Sequence, residues 1–205
     1  MVVVGLTGKA CSGKNVIAGM LADKGWRIVD VDKLGHPILQ QAADEVRRDF
    51  GPETIGPDGV VNRKALGALV FADPSKLKTL EAITHPRMVA ECKRIIAEET
   101  ASGGQVVVLN AALLSRMHLD GLCDLVVFVR VPWYIRYRRA QMRDGMDLAR
   151  FRNRDASQKD IAIDTIAPGR KVVVLDNAGS LESIHRQVAA LCDTITQAMG
   201  KDWQV

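Results

Sequence analysis

The stretch that decides the fold is Gly8-Lys9-Ala10-Cys11-Ser12-Gly13-Lys14-Asn15, set between the apolar run Val2–Leu6 and the helix-like run Gly13–Lys24. It follows the pattern G-x4-G-K, with Asn15 where Ser or Thr is usual. The context is the one that pattern requires, a buried strand before it and an amphipathic helix after it. Glycines let the backbone curl so that successive N–H groups point at phosphate oxygens, and the following helix N-terminus adds partial positive charge. Lys14 supplies a point charge suited to the β- and γ-phosphates. Gly8 to Val16 is therefore expected to cradle a nucleotide triphosphate.

Outward from this loop, strand-like and helix-like runs alternate. Val16, Ile17, Met20 and Leu21 share one face of the first helix, which Gly25 stops. Arg27–Val31, Gln105–Leu109, Asp124–Val131 and Lys171–Leu175 read as further strands rich in Val and Leu, buried on both faces. Helices are expected over Lys33–Phe50, Pro132–Asp144, a segment capped by Asp147, and Ser180–Met199. Asn62–Thr100 is helical in pattern, with Asp73-Pro74 and His85-Pro86 read as starts of new helices. Five strands separated by helices predict a three-layer α/β/α fold around a five-stranded parallel sheet. The expected organisation is one domain over 1–205, with a helical acceptor-binding insertion at about 61–100 and an arginine-rich lid at about 139–160.

Composition narrows the class. The 205 residues are 47% apolar and 25% charged, ordinary for a globular protein, and at 4% aromatic the chain is poorly equipped to stack on single-stranded nucleic acid. The four cysteines are widely spaced, with no CxxC, and read as reduced thiols. No basic leader precedes the first strand, and no apolar run approaches the ~20 residues that span a bilayer. A cytoplasmic protein is expected, monomeric or a small homo-oligomer, with no nucleic acid or membrane partner. Between Arg130 and Arg154 the chain carries eight arginines against Asp144 and Asp147. The guanidinium fork suits phosphate oxygens, so a polyphosphate ligand is the natural partner of that cluster.

A phosphate loop alone leaves GTPase, motor, transporter and kinase open. The absence of an N-K-x-D segment and the modest length favour a small kinase. Here the residues carry a resemblance. Gly5-Leu6-Thr7-Gly8, Val29-Asp30-Val31-Asp32 with His36, Asn62-Arg63-Lys64-Ala65-Leu66, Val70-Phe71-Ala72-Asp73 and Leu80-Glu81-Ala82-Ile83-Thr84-His85-Pro86 resemble the dephospho-CoA kinase family. So do Arg143-Asp144-Gly145, Arg154 with Gln158, and Asp176-Asn177-Ala178-Gly179-Ser180-Leu181-Glu182. The matches run in family order over nearly the whole chain.

The resemblance implies transfer of the ATP γ-phosphoryl group to the 3′-hydroxyl of dephospho-CoA, with ATP and Mg²⁺ required. Asp32, at the carboxyl edge of the second strand, is the expected base for the hydroxyl proton. Asp30, two residues earlier on the same side of an extended chain, is expected to assist or touch the metal. Arg63 and His85 are expected to contact the acceptor, although His85 on its own reads equally well as a cap or core histidine. His36 is read as a structural neighbour. Arg139, Arg143, Arg150 and Arg154 would form a mobile lid, with Arg143 on the γ-phosphate, while Arg136, Arg138 and Arg152 are read as solvated. Asn177 would hold the adenine edge.

Two segments depart from the resemblance. Asn15 replaces the hydroxyl that ligates Mg²⁺, which leaves three readings: its amide oxygen is the ligand, the metal is held by phosphates, waters and a nearby carboxylate, or catalysis is impaired. Leu109-Asn110-Ala111-Ala112-Leu113-Leu114-Ser115 lacks the Pro-Leu-Leu and acidic residue common in the family. Two alternatives to dephospho-CoA kinase therefore stand beside it: a kinase of a nucleoside monophosphate or shikimate-like acceptor, and a non-catalytic nucleotide sensor.

Overall fold

The structure is a computed structural model that describes residues 1–199, so the last six residues of the expected 1–205 domain lie outside the described residues. Five strands, β1 (Val2–Thr7), β2 (Arg27–Asp30), β3 (Val106–Asn110), β4 (Leu125–Arg130) and β5 (Lys171–Asp176), form one sheet in the order β2-β3-β1-β4-β5. Every pairing is parallel. This is the five-stranded parallel α/β sheet expected from the sequence. The eight α-helices of the described residues are α1 (Lys14–Ala22), α2 (Val31–Gln41), α3 (Ala43–Phe50), α4 (Arg63–Ala72), α5 (Pro74–Ala101), α6 (Trp133–Asp144), α7 (Leu148–Ala156) and α8 (Leu181–Met199).

The chain divides into two compact units, Met1–Asp30 with the described residues from Ile95 onward, and Val31–Arg94. In the first, period-2 alternation sorts side chains onto two sheet faces. Val2, Val4, Leu6, Val106, Val108, Leu125, Val127 and Val129 pack against Ile17, Ala18 and Leu21 of α1 and Ile184, Val188, Leu191 and Ile195 of α8. On the other face Gly5 leaves room that a side chain would take, because a Cβ there would lie 2.6 Å from Leu114 Cδ2 and 2.9 Å from Cys123 Sγ. β1 is thus the middle strand, buried along its whole length, and the loop that leaves its carboxyl end is anchored by the core.

The second unit is helical, and wider at its N-terminal side than the expected 61–100 insertion. Ala42, Val46, Phe50, Val61, Leu66, Val70 and Ile83 form its own core. Asn62 caps α4 by accepting from Ala65 N at 3.1 Å.

Three expectations about local structure are corrected. Lys33–Phe50 is two helices, α2 and α3, broken at Ala42. The second strand stops at Asp30 and α2 begins at Val31, so Asp30 and Asp32 do not share one side of an extended chain. His85-Pro86 starts no helix, because α5 runs through both residues without interruption. Pro86 removes one helical donor, and beside it the Ile83 carbonyl accepts from the Arg87 guanidinium at 2.6 Å.

Candidate functional site

The loop between β1 and α1 takes its shape from two left-handed positions and one close approach. Gly13, the N-cap of α1, has φ 89°, and a Cβ on it would collide with Asn177 Nδ2. Gly8 lies against β4, where a Cβ would come 2.6 Å from Val129 O. Cys11 also adopts positive φ, at 62°, a conformation uncommon in a non-glycine residue. Within the loop Ser12 N donates to Lys9 O at 3.1 Å and Lys14 Nζ donates to Gly8 O at 3.1 Å. Ser12 Oγ is buried with no hydrogen-bond partner among the described residues. Val16, the last residue of the expected cradle, is 53% exposed on the first turn of α1.

Three groups distant in sequence close around this loop. Gln158 Oε1 accepts from Ala10 N at 2.8 Å. Asn177, which follows β5, donates from Nδ2 to Ser12 O at 2.8 Å, and its own N–H donates to Arg130 O. Arg139 on α6 donates to Asn177 O at 2.7 Å and to Cys11 O and Ser12 O at 3.4 Å each. The Arg143 guanidinium lies 3.7 Å from Cys11 Sγ and forms two bonds to Asp144, at 2.8 and 2.7 Å. Arg154, near the end of α7, reaches the same carboxylate at 4.0 Å. The Arg143 bonds hold the Asp144 carboxyl below its ordinary range. Loop, Arg139, Arg143 and Asn177 are therefore one cluster, with Arg154 tied to it through Asp144.

Asp144 and Gln158 were not singled out from the sequence as functional. Both stand in segments quoted for the family resemblance, Arg143-Asp144-Gly145 and Arg154 with Gln158, but neither was given a role of its own. Arg136, read as solvated, is 5% exposed. It pairs with Asp155 at 2.7 Å and lies over the Phe151 ring, in a packed group with Trp133 and Tyr137. It ties α6 to α7 rather than facing solvent. Asp147 caps α7 as expected, accepting from Arg150 N at 2.8 Å.

The metal expectation rests on Asn15 and Asp30. Asn15 Oδ1 accepts from Asn110 Nδ2 at 3.0 Å, and Asp30 is the register partner of Asn110 across β2 and β3. An amide oxygen has two acceptor directions, so the bond from Asn110 leaves one for a hard cation. No group of three or more His, Cys, Asp or Glu side chains able to hold a metal is found among the described residues. That set suits Mg²⁺ carried on nucleotide phosphates, which needs only one or two protein oxygens, rather than a dedicated cage.

The residues expected on the acceptor side lie in the second unit. Asp32 is exposed in the first turn of α2, and His85 is half-buried within α5. Arg63, the first residue of α4, donates to His36 Nε2 at 2.7 Å, a pairing the sequence did not suggest. Among the described residues, no helix is long and apolar enough to cross a membrane.

The family model described as dephospho-CoA kinase matches residues 2–183. The chain is 37% identical over 204 residues to the dephospho-CoA kinase of Anaeromyxobacter dehalogenans, covering 98% of this chain and 95% of that one. It is 37% identical over 195 residues to the dephospho-CoA kinase of Leifsonia xyli, covering 93% and 97%. Among solved structures, a Thermus thermophilus protein superposes with a TM-score of 0.76 at 30% identity, covering 94% of this chain and 97% of the other. The shikimate kinase of Acinetobacter baumannii shares the fold, with a TM-score of 0.52 at 12% identity over 96% and 94% of the two chains.

Proposed function

Because the chain belongs to the dephospho-CoA kinase family, we propose that it moves the γ-phosphoryl group of ATP onto the 3′-hydroxyl of dephospho-CoA through the residues described above. It is an ATP-dependent kinase, and the loop at the end of β1, closed by Arg139, Arg143 and Asn177, is the observation that carries the assignment of its nucleotide site.

The backbone of Gly8 to Val16 wraps the phosphates, and Lys14 bridges the β- and γ-groups, neutralising charge as it develops. Asn177 and Arg139 border the nucleotide beside the loop, with Asn177 on the adenine edge. Arg143 turns from Asp144 to the γ-phosphate, and Arg154 adds a second charge; together they exclude water from the transferring group. Asn15 and Asp30 would hold Mg²⁺, which when bound would neutralise phosphate charge. On the acceptor side, Asp32 accepts the proton of the 3′-hydroxyl as its oxygen bonds to phosphorus and the bond from phosphorus to the β-γ bridging oxygen breaks. The products are ADP and CoA, and the proton leaves Asp32 for solvent. Arg63 and His85 hold the acceptor, with Arg63 oriented by His36.

The test is ADP release by purified protein with ATP and Mg²⁺, comparing dephospho-CoA with AMP, shikimate and no acceptor. Release that requires dephospho-CoA and yields CoA is expected. Equal or greater release with AMP or shikimate would overturn the acceptor assignment, and tight ATP binding without release for any acceptor would leave only a nucleotide sensor.

A further inference from the structure

Asn110 is an expensive residue to bury. It closes β3 at 3% exposure, its Nδ2 reaches across 95 residues of sequence to Asn15 Oδ1, and its own Oδ1 is buried with no hydrogen-bond partner among the described residues. Val106 and Val108 of the same strand face α1, so alternation places Asn110 on that face too, beneath the first turn where Asn15 sits. Buried amides are ordinarily satisfied on both ends, and one left half-satisfied at a binding site points to a donor brought by the ligand.

We propose that Asn110 is a positioning residue for Asn15. Its Nδ2–H bond fixes the Asn15 amide with oxygen, rather than nitrogen, toward the nucleotide's cation, and its buried Oδ1 takes a hydrogen bond from a water carried by that cation. The inference rests on the nucleotide-site reading given above. The need for such a partner is specific to an amide. A hydroxyl at this position presents an oxygen whichever way it rotates, whereas an amide turned over presents N–H groups, which repel a cation. Something must hold it the right way round. Asn110 does so as a donor. A carboxylate at position 110 would do the opposite: it would attract the Asn15 nitrogen and turn the oxygen away. Asn15 and Asn110 are then a matched pair, as a hydroxyl and a carboxylate would be.

The probe is Mn²⁺, followed by electron paramagnetic resonance in the presence of a non-hydrolysable ATP analogue, with the affinity for the analogue in EDTA measured alongside. Asn110→Ala is expected to weaken Mn²⁺ binding in the ternary complex about tenfold or more, as loss of an outer-shell partner does, while changing analogue affinity in EDTA less than twofold. In the double variant Asn15→Ala/Asn110→Ala the loss of Mn²⁺ affinity should be smaller than the product of the two single losses, because once Asn15 is gone only the water bond to Asn110 Oδ1 remains to be removed. Asn110→Asp should also weaken Mn²⁺ binding, and Asn15→Ser/Asn110→Asp should recover it; this second pair carries the test if Asn110→Ala does not fold. Unchanged Mn²⁺ affinity in Asn110→Ala, or single effects that multiply in the double variant, would overturn the pairing. Failure of the parent protein to release ADP with dephospho-CoA would instead strike the functional reading, so the two failures are separable.

Discussion

Replacing Gly13 by Ala tests whether the loop's shape is imposed by backbone and Asn177 together. Gly13 holds φ 89° and ψ 18°, and a left-handed conformation costs an L-residue about 1–2 kcal/mol. The added methyl meets Asn177 Nδ2, which must move and give up its 2.8 Å bond to Ser12 O, a loss of about 1 kcal/mol. Together these amount to about 2–3 kcal/mol. At about 2–4 °C per kcal/mol for a chain of this size, the melting temperature should fall by about 4–12 °C. Affinity for ATP should fall at least about tenfold, because each 1.4 kcal/mol of distorted cradle is a factor of ten. Calorimetry gives the first quantity and equilibrium titration with a fluorescent ATP analogue the second. In Gly13→Ala/Asn177→Ala the clash is gone and the same hydrogen bond is not lost twice, so the double variant should be more stable than the sum of the single effects implies by about 1 kcal/mol. A Gly13→Ala protein that melts within 1 °C of the parent and binds the analogue equally well would refute the argument.

Lys14→Ala should lower turnover by about 10³-fold with the fold intact by circular dichroism; near-normal turnover would remove Lys14 from the phosphate site. Asp32→Asn should cut turnover by about 10²–10⁴-fold while ATP affinity stays within twofold, and a loss confined to ATP binding would mean that Asp32 is not the base. The Asp144 carboxyl is held low by its bonds from Arg143, so this pair adds stability above the ordinary carboxylate range and loses it as pH falls through the lowered value. An NMR titration should place the Asp144 midpoint below that of a free aspartate, and Arg143→Ala should raise it. Burial pushes the Cys92 thiol up to about 11, so its contribution to stability is lost as pH rises from about 9 toward that value. At pH 8 a thiol reagent should label half-exposed Cys11 first, with Cys92, Cys123 and Cys192 reacting only on denaturation, and ATP should slow the labelling of Cys11. Labelling of Cys11 that is indifferent to ATP would place the nucleotide elsewhere.

The sheet was legible because its strands are short runs of Val and Leu whose burial on both faces needs no partner information. The loop was legible because glycine at φ 89° leaves a mark in sequence that few other residues can imitate. Less legible were features decided by contacts far along the chain. Pro86 looks like a helix start in isolation, yet Thr84 and Arg87 bond to the carbonyls of Leu80 and Ile83, and α5 continues. Arg136 is indistinguishable from its arginine neighbours until Asp155, nineteen residues on, and Phe151 enclose it. Asn15 and Asn110 were each visible as departures from the usual pattern. Their contact was not, because it joins the ends of two strand-connected segments that only the sheet order brings side by side. Gln158 was visible beside Arg154 as part of the family resemblance, but its bond to Ala10 N, 148 residues away in sequence, was not.

The strand order β2-β3-β1-β4-β5 also sets a schedule for synthesis. β1 emerges from the ribosome first, but both of its neighbours, β3 and β4, lie more than a hundred residues later. Residues 31–94 have a core made entirely of their own side chains and are finished before β3 is translated. The helical unit can therefore settle while β1, buried along its whole length in the finished fold, is still an unpaired strand with two open edges. The phosphate loop is encoded near the start and assembled among the last, and a stalled or truncated chain ending before residue 106 would expose Val2–Leu6 as its most aggregation-prone stretch.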